Sequence, residues 1–384
     1  METYRLELLI IALMAALSPL LVKAFRHPRL PVVVAELLLG ICIGPHALNL
    51  VNADGLLGVM GELGLTFLLF MVGLEINFNR IRGKPLALAG AGWIISLLTA
   101  LACVSAARAL GLTSAPLLTA IALSTTALGI LAPILRDNGQ LETPFGHWLI
   151  AAAAMGEIGP LLALAFIPTQ TPLLNMTFML FFAGVILLAA YAAMHVRSPK
   201  WMTILTESMQ TSGQLPVRLC LALQALLIWL AAQFGFNVVL GAFAAGLVVN
   251  LGCKGEAGDL LKQKLDAIGY GFLIPFFFIS AGMKFHLNYL GSSPLVVLQV
   301  AAVLGLMLLA RGMPLFLYSK ILPPRSKWSF ALYSATGLPL IVIITELGNV
   351  LGIMTPDQGA VLISAGMLSV ILFPLLAEDL SSQK

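Results

Sequence analysis

The chain has 384 residues, of which 60% are hydrophobic and only 10% are charged, with a net charge of +4. This composition is typical of a helical protein that crosses a membrane many times. It excludes a large soluble domain, and the basic residues form no aromatic-interleaved stretch of the kind that binds nucleic acid. The four cysteines show neither CxxC nor Cys/His spacing, so we expect no metal centre, disulfide framework or cofactor.

Apolar runs long enough to span a bilayer recur along the chain. A helix needs about 20 predominantly apolar residues to cross the hydrocarbon core. The pattern predicts thirteen spans, near 5–24, 30–50, 56–76, 86–109, 115–135, 144–168, 173–196, 215–235, 236–251, 267–286, 293–321, 327–350 and 357–377. Only Phe234–Asn237 separates the eighth span from the ninth. The polar stretches near 197–214 and 252–266 are interpreted as loops. The sequence therefore predicts an all-α polytopic membrane protein.

The loops between these spans differ in basic content. Of the 21 Lys and Arg residues, 17 fall in loops after odd-numbered spans or in the C-terminal tail, whereas Arg5, Arg108 and Lys284 fall on the other side. Because basic residues are retained in cytoplasmic loops, this asymmetry places the N-terminus outside and the C-terminus in the cytoplasm. We expect a multi-pass protein of the cell inner (plasma) membrane.

An internal repeat relates the two halves of the chain. Three pairs of stretches match at nearly the same separation: LLFMVGLEINFNRIRG at 68–83 with FFFISAGMKFHLNYLG at 276–291, STTALGILAPIL at 124–135 with SATGLPLIVIIT at 334–345, and VVVAELLLG at 32–40 with NVVLGAFAAG at 237–246. A constant separation indicates duplication rather than chance likeness among apolar segments.

The repeat predicts a domain organisation. Residues 1–172 would form a first repeat of six helices, 173–214 a linking helix and loop, and 215–384 a second repeat of six helices, with no soluble domain. Since a single linking span reverses the direction of the second copy, the repeats would have inverted topology. Inverted repeats recur in secondary transporters, which bind their substrates where two discontinuous helices cross.

The fifth and twelfth spans are the candidates for discontinuous helices. Each carries small hydroxyl residues followed by helix-disturbing ones at matching places: Ser124, Thr125, Thr126, Gly129 and Pro133, and Ser334, Thr336, Gly337 and Pro339. Proline removes a backbone donor and obstructs the preceding turn. Freed carbonyls and the Thr hydroxyls would then face a cation. An ordinary proline kink, with Ser and Thr bonded to the previous turn, is the alternative.

Glu157 lies near the middle of an apolar stretch, FGHWLIAAAAMGEIGPLLALAF at 145–166. An ionised carboxylate at this depth costs at least about 2.5–3.5 kcal/mol, so the side chain is expected to face other helices or a water-filled cavity. Two interpretations follow. Either Glu157 belongs to a structural ion pair, or it binds a proton and a metal cation in turn on a transport pathway.

Arg311 is a basic residue inside a span, in LGLMLLARGMPLFLYSKIL. Helical rise places it roughly 13 Å from the cytoplasmic boundary, close to the midplane of a core about 30 Å thick. Glu157 lies at a similar depth, so we expect the two side chains to approach each other. Arg311 would either supply the counter-charge of a titrating carboxylate or simply hold two helices together.

Four stretches resemble a known family. FLLFMVGLEINFNRIRG, ALSTTALGILAPILRDNGQ, LGAFAAGLVV and PFFFISAGMKFHL are similar to motifs of the bacterial monovalent cation:proton antiporters of the second family. The resemblance implies thirteen helices, a dimerisation domain beside a mobile core, a homodimer, and elevator-like exchange of Na⁺ or K⁺ for H⁺. It also implies that the essential acid is Glu157 and the membrane-embedded base is Arg311.

One departure from the family concerns the carboxylate. The family usually has Asp-Asp, Asn-Asp or Gln-Asp where this chain has Gly156-Glu157. Glycine offers no second ligand, and one acid that holds either a proton or a cation favours electroneutral exchange.

The sequence thus predicts a secondary active transporter that exchanges Na⁺ or K⁺ for H⁺. Glu157 would be the titrating ligand of the monovalent cation, Thr125 and Thr126 its co-ligands, and Arg311 the counter-charge. The alternatives are a sodium-coupled symporter of a small organic anion, with Arg311 on the anion's carboxylate, and a membrane sensor or scaffold. The spans contain no GxSxG, HExxH or paired catalytic Asp motif, so we do not expect an enzyme.

Overall fold

The computed structural model describes residues 2–24, 32–52, 55–75, 83–109, 114–165, 208–209, 211–233, 238–252, 255–284 and 293–382, with 184, 188 and 191 besides. In chain order the helices are α1 (Glu2–Ala24), α2 (Val32–Ile43), α3 (Leu56–Glu75), α4 (Lys84–Ala109), α5 (Pro116–Leu123), α6 (Leu128–Asp137), α7 (Pro144–Ala165), α8 (Leu215–Gln233), α9 (Val238–Gly252), α10 (Gly255–Ile268), α11 (Ile274–Met283), α12 (Pro294–Gly312), α13 (Pro324–Ser334), α14 (Pro339–Val350) and α15 (Pro356–Ser382). Nearly all of the predicted seventh span lies outside the described residues.

The helices are long and apolar, as the composition predicts. Within the described ranges, ten helical segments have the length and hydropathy to cross a membrane, and α2 and α9 are shorter apolar helices. The predicted eighth and ninth spans are separate helices, α8 and α9. The prediction of an all-α polytopic membrane protein is confirmed.

The helix at α10 differs from the predicted loop at 252–266. A π-helical turn, Gly269–Leu273, joins α10 to α11, so that one helical run extends from Gly255 to Met283. Although α10 is polar on average, it buries Gly258, Leu261 and Leu265, which recur at helical spacing. One apolar face is enough to pack an amphipathic helix. The prediction of a loop was wrong because it relied on mean polarity rather than on this periodicity.

The chain packs into two compact units. One comprises Met1–Asp54, Phe78–Leu164 and Phe278–Lys384, and the other comprises Gly55–Asn77 and Ala165–Phe277. These units are not the two predicted sequence repeats, because each unit draws segments from both halves of the chain. We call them the larger and the smaller unit.

Glycine allows close backbone packing in the smaller unit. Here α3 and α9 cross at Gly73 and Gly246. A Cβ at Gly73 would overlap the carbonyl oxygen of Phe243, and a Cβ at Gly246 would overlap that of Phe70. Small residues at a helix crossing let two backbones approach within a membrane, where burial of apolar surface contributes little.

The larger unit repeats this arrangement with the equivalent residues. A Cβ at Gly40 of α2 would overlap the carbonyl oxygen of Ile279, and one at Gly282 of α11 would overlap that of Leu37. The sequence repeat equates Gly40 with Gly246 and Gly73 with Gly282. Each glycine crossing therefore joins a helix from the first half of the chain to one from the second half, which is why each compact unit contains segments of both halves.

The larger unit also contains two interrupted helices. The first is formed by α5 and α6, and the second by α13 and α14. Helices α4, α12 and α15 pack against them. Buried polar side chains are concentrated at the interruptions, among them Ser124, Thr125, Thr126, Glu157, Arg311, Ser334, Thr336 and Ser369.

The glycine crossings make a testable prediction. We expect Gly246→Ala to destabilise the protein by about 1–3 kcal/mol, the usual cost of overpacking a tight contact. The matched control is Gly305→Ala on α12, where a Cβ would meet no atom within 4 Å. That change is expected to be neutral or stabilising, since Ala is the better helix former. Thermal unfolding of the detergent-solubilised variants measures both effects, and equal midpoints would contradict the interpretation.

Candidate functional site

The first interrupted helix breaks at its hydroxyl cluster. α5 ends at Leu123, α6 begins at Leu128, and the residues between them lack regular helical structure. The break includes Thr125 and Thr126, as predicted. Gly129 and Pro133 lie inside α6 rather than at the break. Pro133 has no N–H for the carbonyl of Gly129, yet α6 continues through it.

The second interrupted helix breaks at the equivalent place. α13 ends at Ser334 and α14 begins at Pro339. Proline at the first position of a helix costs no hydrogen bond, because that N–H has no intrahelical partner. Thr336 and Gly337 lie in the break, and a Cβ at Gly337 would lie 2.8 Å from Oγ1 of Thr125. Glycine thus lets the two breaks meet.

Hydrogen bonds hold the two breaks together. The backbone N–H of Ala127 donates to the carbonyl of Thr336 at 2.8 Å, and Oγ1 of Thr126 donates to the carbonyl of Ser334. The N–H of Thr126 donates to the carbonyl of Gly156 on α7 at 3.0 Å. Backbone groups that the interruptions release are therefore satisfied across the crossing.

Glu157 lies at this crossing and is only 2% exposed. Its Oε1 accepts a hydrogen bond of 2.9 Å from the N–H of Leu128, the first residue of α6. A helix N-terminus carries partial positive charge and unsatisfied N–H groups, so it stabilises a carboxylate. The carboxylate is thereby fixed at the positive end of a half-helix.

Arg311 is 5% exposed and stabilises a helix end of opposite polarity. Its Nε donates to the carbonyl of Ser334, at the C-terminus of α13, at 3.1 Å. Nη1 donates to Oγ of Ser96 at 3.3 Å, and Nη2 donates to the carbonyl of Ala152 at 3.1 Å. All three acceptors are neutral. The predicted pair with Glu157 is not among the hydrogen bonds of Arg311 in the described structure.

Gly156 packs against Thr126 and the guanidinium group of Arg311. A Cβ at this position would lie 2.5 Å from Oγ1 of Thr126 and 3.0 Å from Nη2 of Arg311. The volume that a side chain would need at residue 156 is therefore already filled. Arg311 is adjacent to the carboxylate-bearing turn although its hydrogen bonds go to other groups.

Ser369 of α15 is a site residue that the sequence analysis missed. The N–H of Gly337 donates to its Oγ at 3.1 Å, and its hydroxyl lies 3.0 Å from the carbonyl of Gly337 and 2.7 Å from that of Gly366. The sequence match places Gly337 opposite Ala127, so Ser369 bonds a backbone N–H within the second break, whereas Glu157 bonds the N–H that directly follows the first break. Ser96 was missed as well. In both cases the available signal was a hydroxyl inside an apolar span.

The fourth half-helix end, the C-terminus of α5, differs from the other three. Within the described part of the chain, its carbonyls receive the local hydroxyl bonds of Ser124 to Ile121 and of Thr125 to Ala122, both at 2.8 Å. Among the described residues, no Lys or Arg side chain donates a hydrogen bond to the C-terminus of α5. Nearby, Oγ of Ser334 is buried without a hydrogen-bond partner among the described residues.

The donor set at the crossing consists of oxygen atoms and contains one carboxylate. Among the described residues, no group of three or more His, Cys, Asp or Glu side chains could hold a metal ion. The arrangement is a buried crossing of two interrupted helices in a polytopic membrane protein. This architecture recurs in the class of secondary transporters.

Comparison with known proteins identifies the family. The sequence model described as "Sodium/hydrogen exchanger, transmembrane" matches residues 9–378. The chain belongs to this family, and the resemblance inferred from its motifs is confirmed.

Individual relatives are distant. The chain is 27% identical over 398 aligned positions to YjbQ of Bacillus subtilis strain 168, with 97% of the chain and 62% of YjbQ covered. It is 26% identical over 293 positions to the Na⁺/H⁺-K⁺ antiporter GerN of Bacillus cereus, with 71% and 70% covered. The chain therefore spans less than two thirds of the length of YjbQ.

A solved structure is similar in fold. The sodium proton antiporter MjNhaP1 from Methanocaldococcus jannaschii, determined at pH 8, matches with a TM-score of 0.65 and 19% identity, covering 98% of this chain and 96% of that one. The match confirms the antiporter fold that the motifs predicted.

The two hydrogen bonds of Ser369 to Gly337 can be tested by mutation. Ser369→Ala leaves the Gly337 N–H without its acceptor, which we expect to cost about 1–3 kcal/mol. Hydrogen exchange of the peptide that contains Gly337 should accelerate. Ser364→Ala, which removes another buried hydroxyl of the same helix, is the matched control. Unchanged exchange in Ser369→Ala would contradict the proposed contact.

Proposed function

We propose that this protein exchanges a monovalent cation, Na⁺ or K⁺, for H⁺ across the membrane, and that Glu157 binds the proton and the cation in turn. The observation that carries the proposal is a buried carboxylate fixed at the crossing of two interrupted helices. Placing an ionised acid inside a membrane costs free energy, so an acidic residue at this depth indicates a proton or ion pathway. Membership of the exchanger family and the names of relatives such as GerN support the same activity.

The cation would bind between Glu157 and the C-terminus of α5. That helix end carries partial negative charge and receives no basic side chain among the described residues, whereas Arg311 stabilises the C-terminus of α13. The hydroxyls of Thr125 and Thr126 each donate to a protein carbonyl. A hydroxyl that donates its proton keeps its oxygen lone pairs for a cation. We therefore propose both threonines as co-ligands.

Arg311 would act as a fixed counter-charge beside the site. Its three nitrogen atoms already donate to Ser334, Ser96 and Ala152. A small organic anion would have to displace these bonds to reach the guanidinium group. The contacts therefore favour cation exchange over sodium-coupled uptake of an organic anion.

We further propose the organisation that the sequence indicates. The protein would be a homodimer in the cell inner membrane, with two inverted repeats, the N-terminus outside and the C-terminus in the cytoplasm. The loop charges support this orientation. The glycine crossings, which use equivalent residues of the two halves, support the duplication.

Removal of the carboxylate tests the proposed role of Glu157. Glu157→Gln keeps an oxygen that can accept from Leu128 N–H but removes the charge that binds a proton or a cation. We expect cation-driven dequenching of a pH-sensitive dye in proteoliposomes to fall to the rate of protein-free liposomes for Na⁺, K⁺ and Li⁺. Glu157→Asp should retain part of the activity.

The control for this experiment is Glu256→Gln, which removes an exposed carboxylate on α10. We expect it to transport like the wild type, and all variants should elute as folded protein in size-exclusion chromatography. Full exchange activity in folded Glu157→Gln protein would disprove the assignment. Anion uptake that depends on Arg311, without cation-driven proton movement, would instead favour symport.

The exchange is expected to be electroneutral, because one carboxylate holds either one proton or one monovalent cation. A potential of 100 mV across the proteoliposome membrane, imposed with a gradient of the permeant anion thiocyanate in K⁺-free buffer, should leave the final pH gradient set by Na⁺ unchanged. One net charge per cycle would shift that gradient by roughly 1.7 pH units, since 100 mV acts on a charge with about 2.3 kcal/mol. A shift of this size would show that a second charge is transported.

A further inference from the structure

A cavity of about 370 Å³ lies in the larger unit, away from the crossing. Its wall is formed by α4, α5, α12 and α15, at the end of the bundle where α4 ends and the other three helices begin. A cavity of this size holds a substantial part of an amphiphilic molecule. The proposed orientation places this end at the outer face of the membrane.

Polar and apolar groups are segregated within the cavity. Thr119, Gln299, Asp357 and Gln358 line it close to the helix ends. Val361 and Leu362 lie deeper along α15, and Leu306 lies about 10 Å beyond Gln299 along α12. A molecule with a polar head and an aliphatic chain matches this gradient when its head lies at the membrane surface.

Asp357 gives the polar end its charge. Within the described residues it makes no hydrogen bond or ion pair, whereas Oε1 of the neighbouring Gln358 accepts from Oγ of Ser114 at 2.8 Å. This carboxylate is exposed in the first turn of α15, where it complements a cationic donor. A primary ammonium group has three N–H donors and can bind the carboxylate together with neutral oxygens such as that of Gln299.

A basic residue follows one of the lining residues in the chain. Arg108 is exposed and follows Ala107, which lines the cavity at the last turn of α4. An acid and a base at one membrane surface complement a zwitterionic headgroup better than a simple amine. We propose that this cavity binds a membrane lipid with an ammonium–phosphate headgroup of the phosphatidylethanolamine type. One acyl chain would lie against Leu306 and Leu362, and the ammonium would contact Asp357.

The four helices that line the cavity also carry or lead to residues of the crossing, so a bound lipid would affect the crossing. Helix α5 leads into the first break, α12 carries Arg311, and α15 carries Ser369. Helix α4 carries Ser96, which accepts from Arg311. A lipid wedged between these four helices would stabilise their mutual arrangement.

Native mass spectrometry can test the assignment. The purified protein is equilibrated with equal amounts of phosphatidylethanolamine, phosphatidylcholine and phosphatidylglycerol that carry identical acyl chains. We expect the wild type to retain phosphatidylethanolamine roughly tenfold over phosphatidylcholine, whose quaternary ammonium cannot donate a hydrogen bond. Asp357→Asn should abolish this preference, and Ala302→Trp, which fills the cavity from an exposed lining position, should reduce lipid retention altogether.

The matched control is Asp259→Asn, which removes an exposed carboxylate of α10 that does not line the cavity. It should keep the wild-type preference. Equal retention of the three lipids by the wild type, or an undiminished preference in Asp357→Asn, would overturn the proposal. Preferential retention of phosphatidylglycerol would also overturn it. None of these outcomes depends on the exchange activity.

Discussion

The structure depends on how four half-helix ends are stabilised where they meet inside the membrane. Each end carries partial charge and backbone groups without intrahelical partners, and the surrounding hydrocarbon of a membrane cannot hydrogen-bond to them. Three side chains bind the backbone at or beside these ends: Glu157 accepts from the first residue of α6, Arg311 donates to the last residue of α13, and Ser369 bonds Gly337 in the break just before α14. The remaining end, that of α5, has only its own hydroxyls in the described structure. The location proposed for the cation follows directly from this asymmetry.

The two halves of the molecule differ in the side chains that bind their interrupted helices. The sequence repeat provides two similar interruptions, but the residues that serve them differ: a carboxylate at the first and a neutral hydroxyl at the second. Among the described residues, the backbone N–H that is bonded by a side chain contacts a carboxylate at the first break and a hydroxyl at the second. The glycine crossings show the opposite behaviour, because Gly40 with Gly282 and Gly246 with Gly73 keep equivalent packing in both halves. If the two halves arose by duplication, as we propose, the packing positions were retained whereas the side chains at the crossing diverged.

Much of the site could be predicted from the sequence because it consists of exceptions in an apolar background. Glu157 and Arg311 are charges within spans, and the Ser/Thr clusters mark both interruptions. The exact position of the first break and the hydrogen-bond partners of Arg311 could not be predicted, because both depend on backbone geometry. Pro133 suggested a break that lies several residues earlier, since a helix tolerates proline when its surroundings supply other contacts. The partners of Arg311 are two carbonyls and a hydroxyl, and no sequence pattern shows where a carbonyl points. The helical nature of α10 was hidden by its mean polarity, although its buried face was visible in the spacing of Leu261 and Leu265.

The tight packing around Gly156 has a consequence for how this protein can change. A second acid next to Glu157 would be the simplest way to alter the number of protons carried per ion, and it requires a single codon change from glycine to aspartate. The new side chain would overlap Thr126 and crowd the guanidinium group of Arg311. We therefore expect the protein to accept aspartate at position 156 only after one of these two residues has been replaced. Evolution towards a two-acid site must therefore pass through an ordered series of substitutions. In the proposed mechanism, the packing around Gly156 would therefore help to keep a single acid at the crossing.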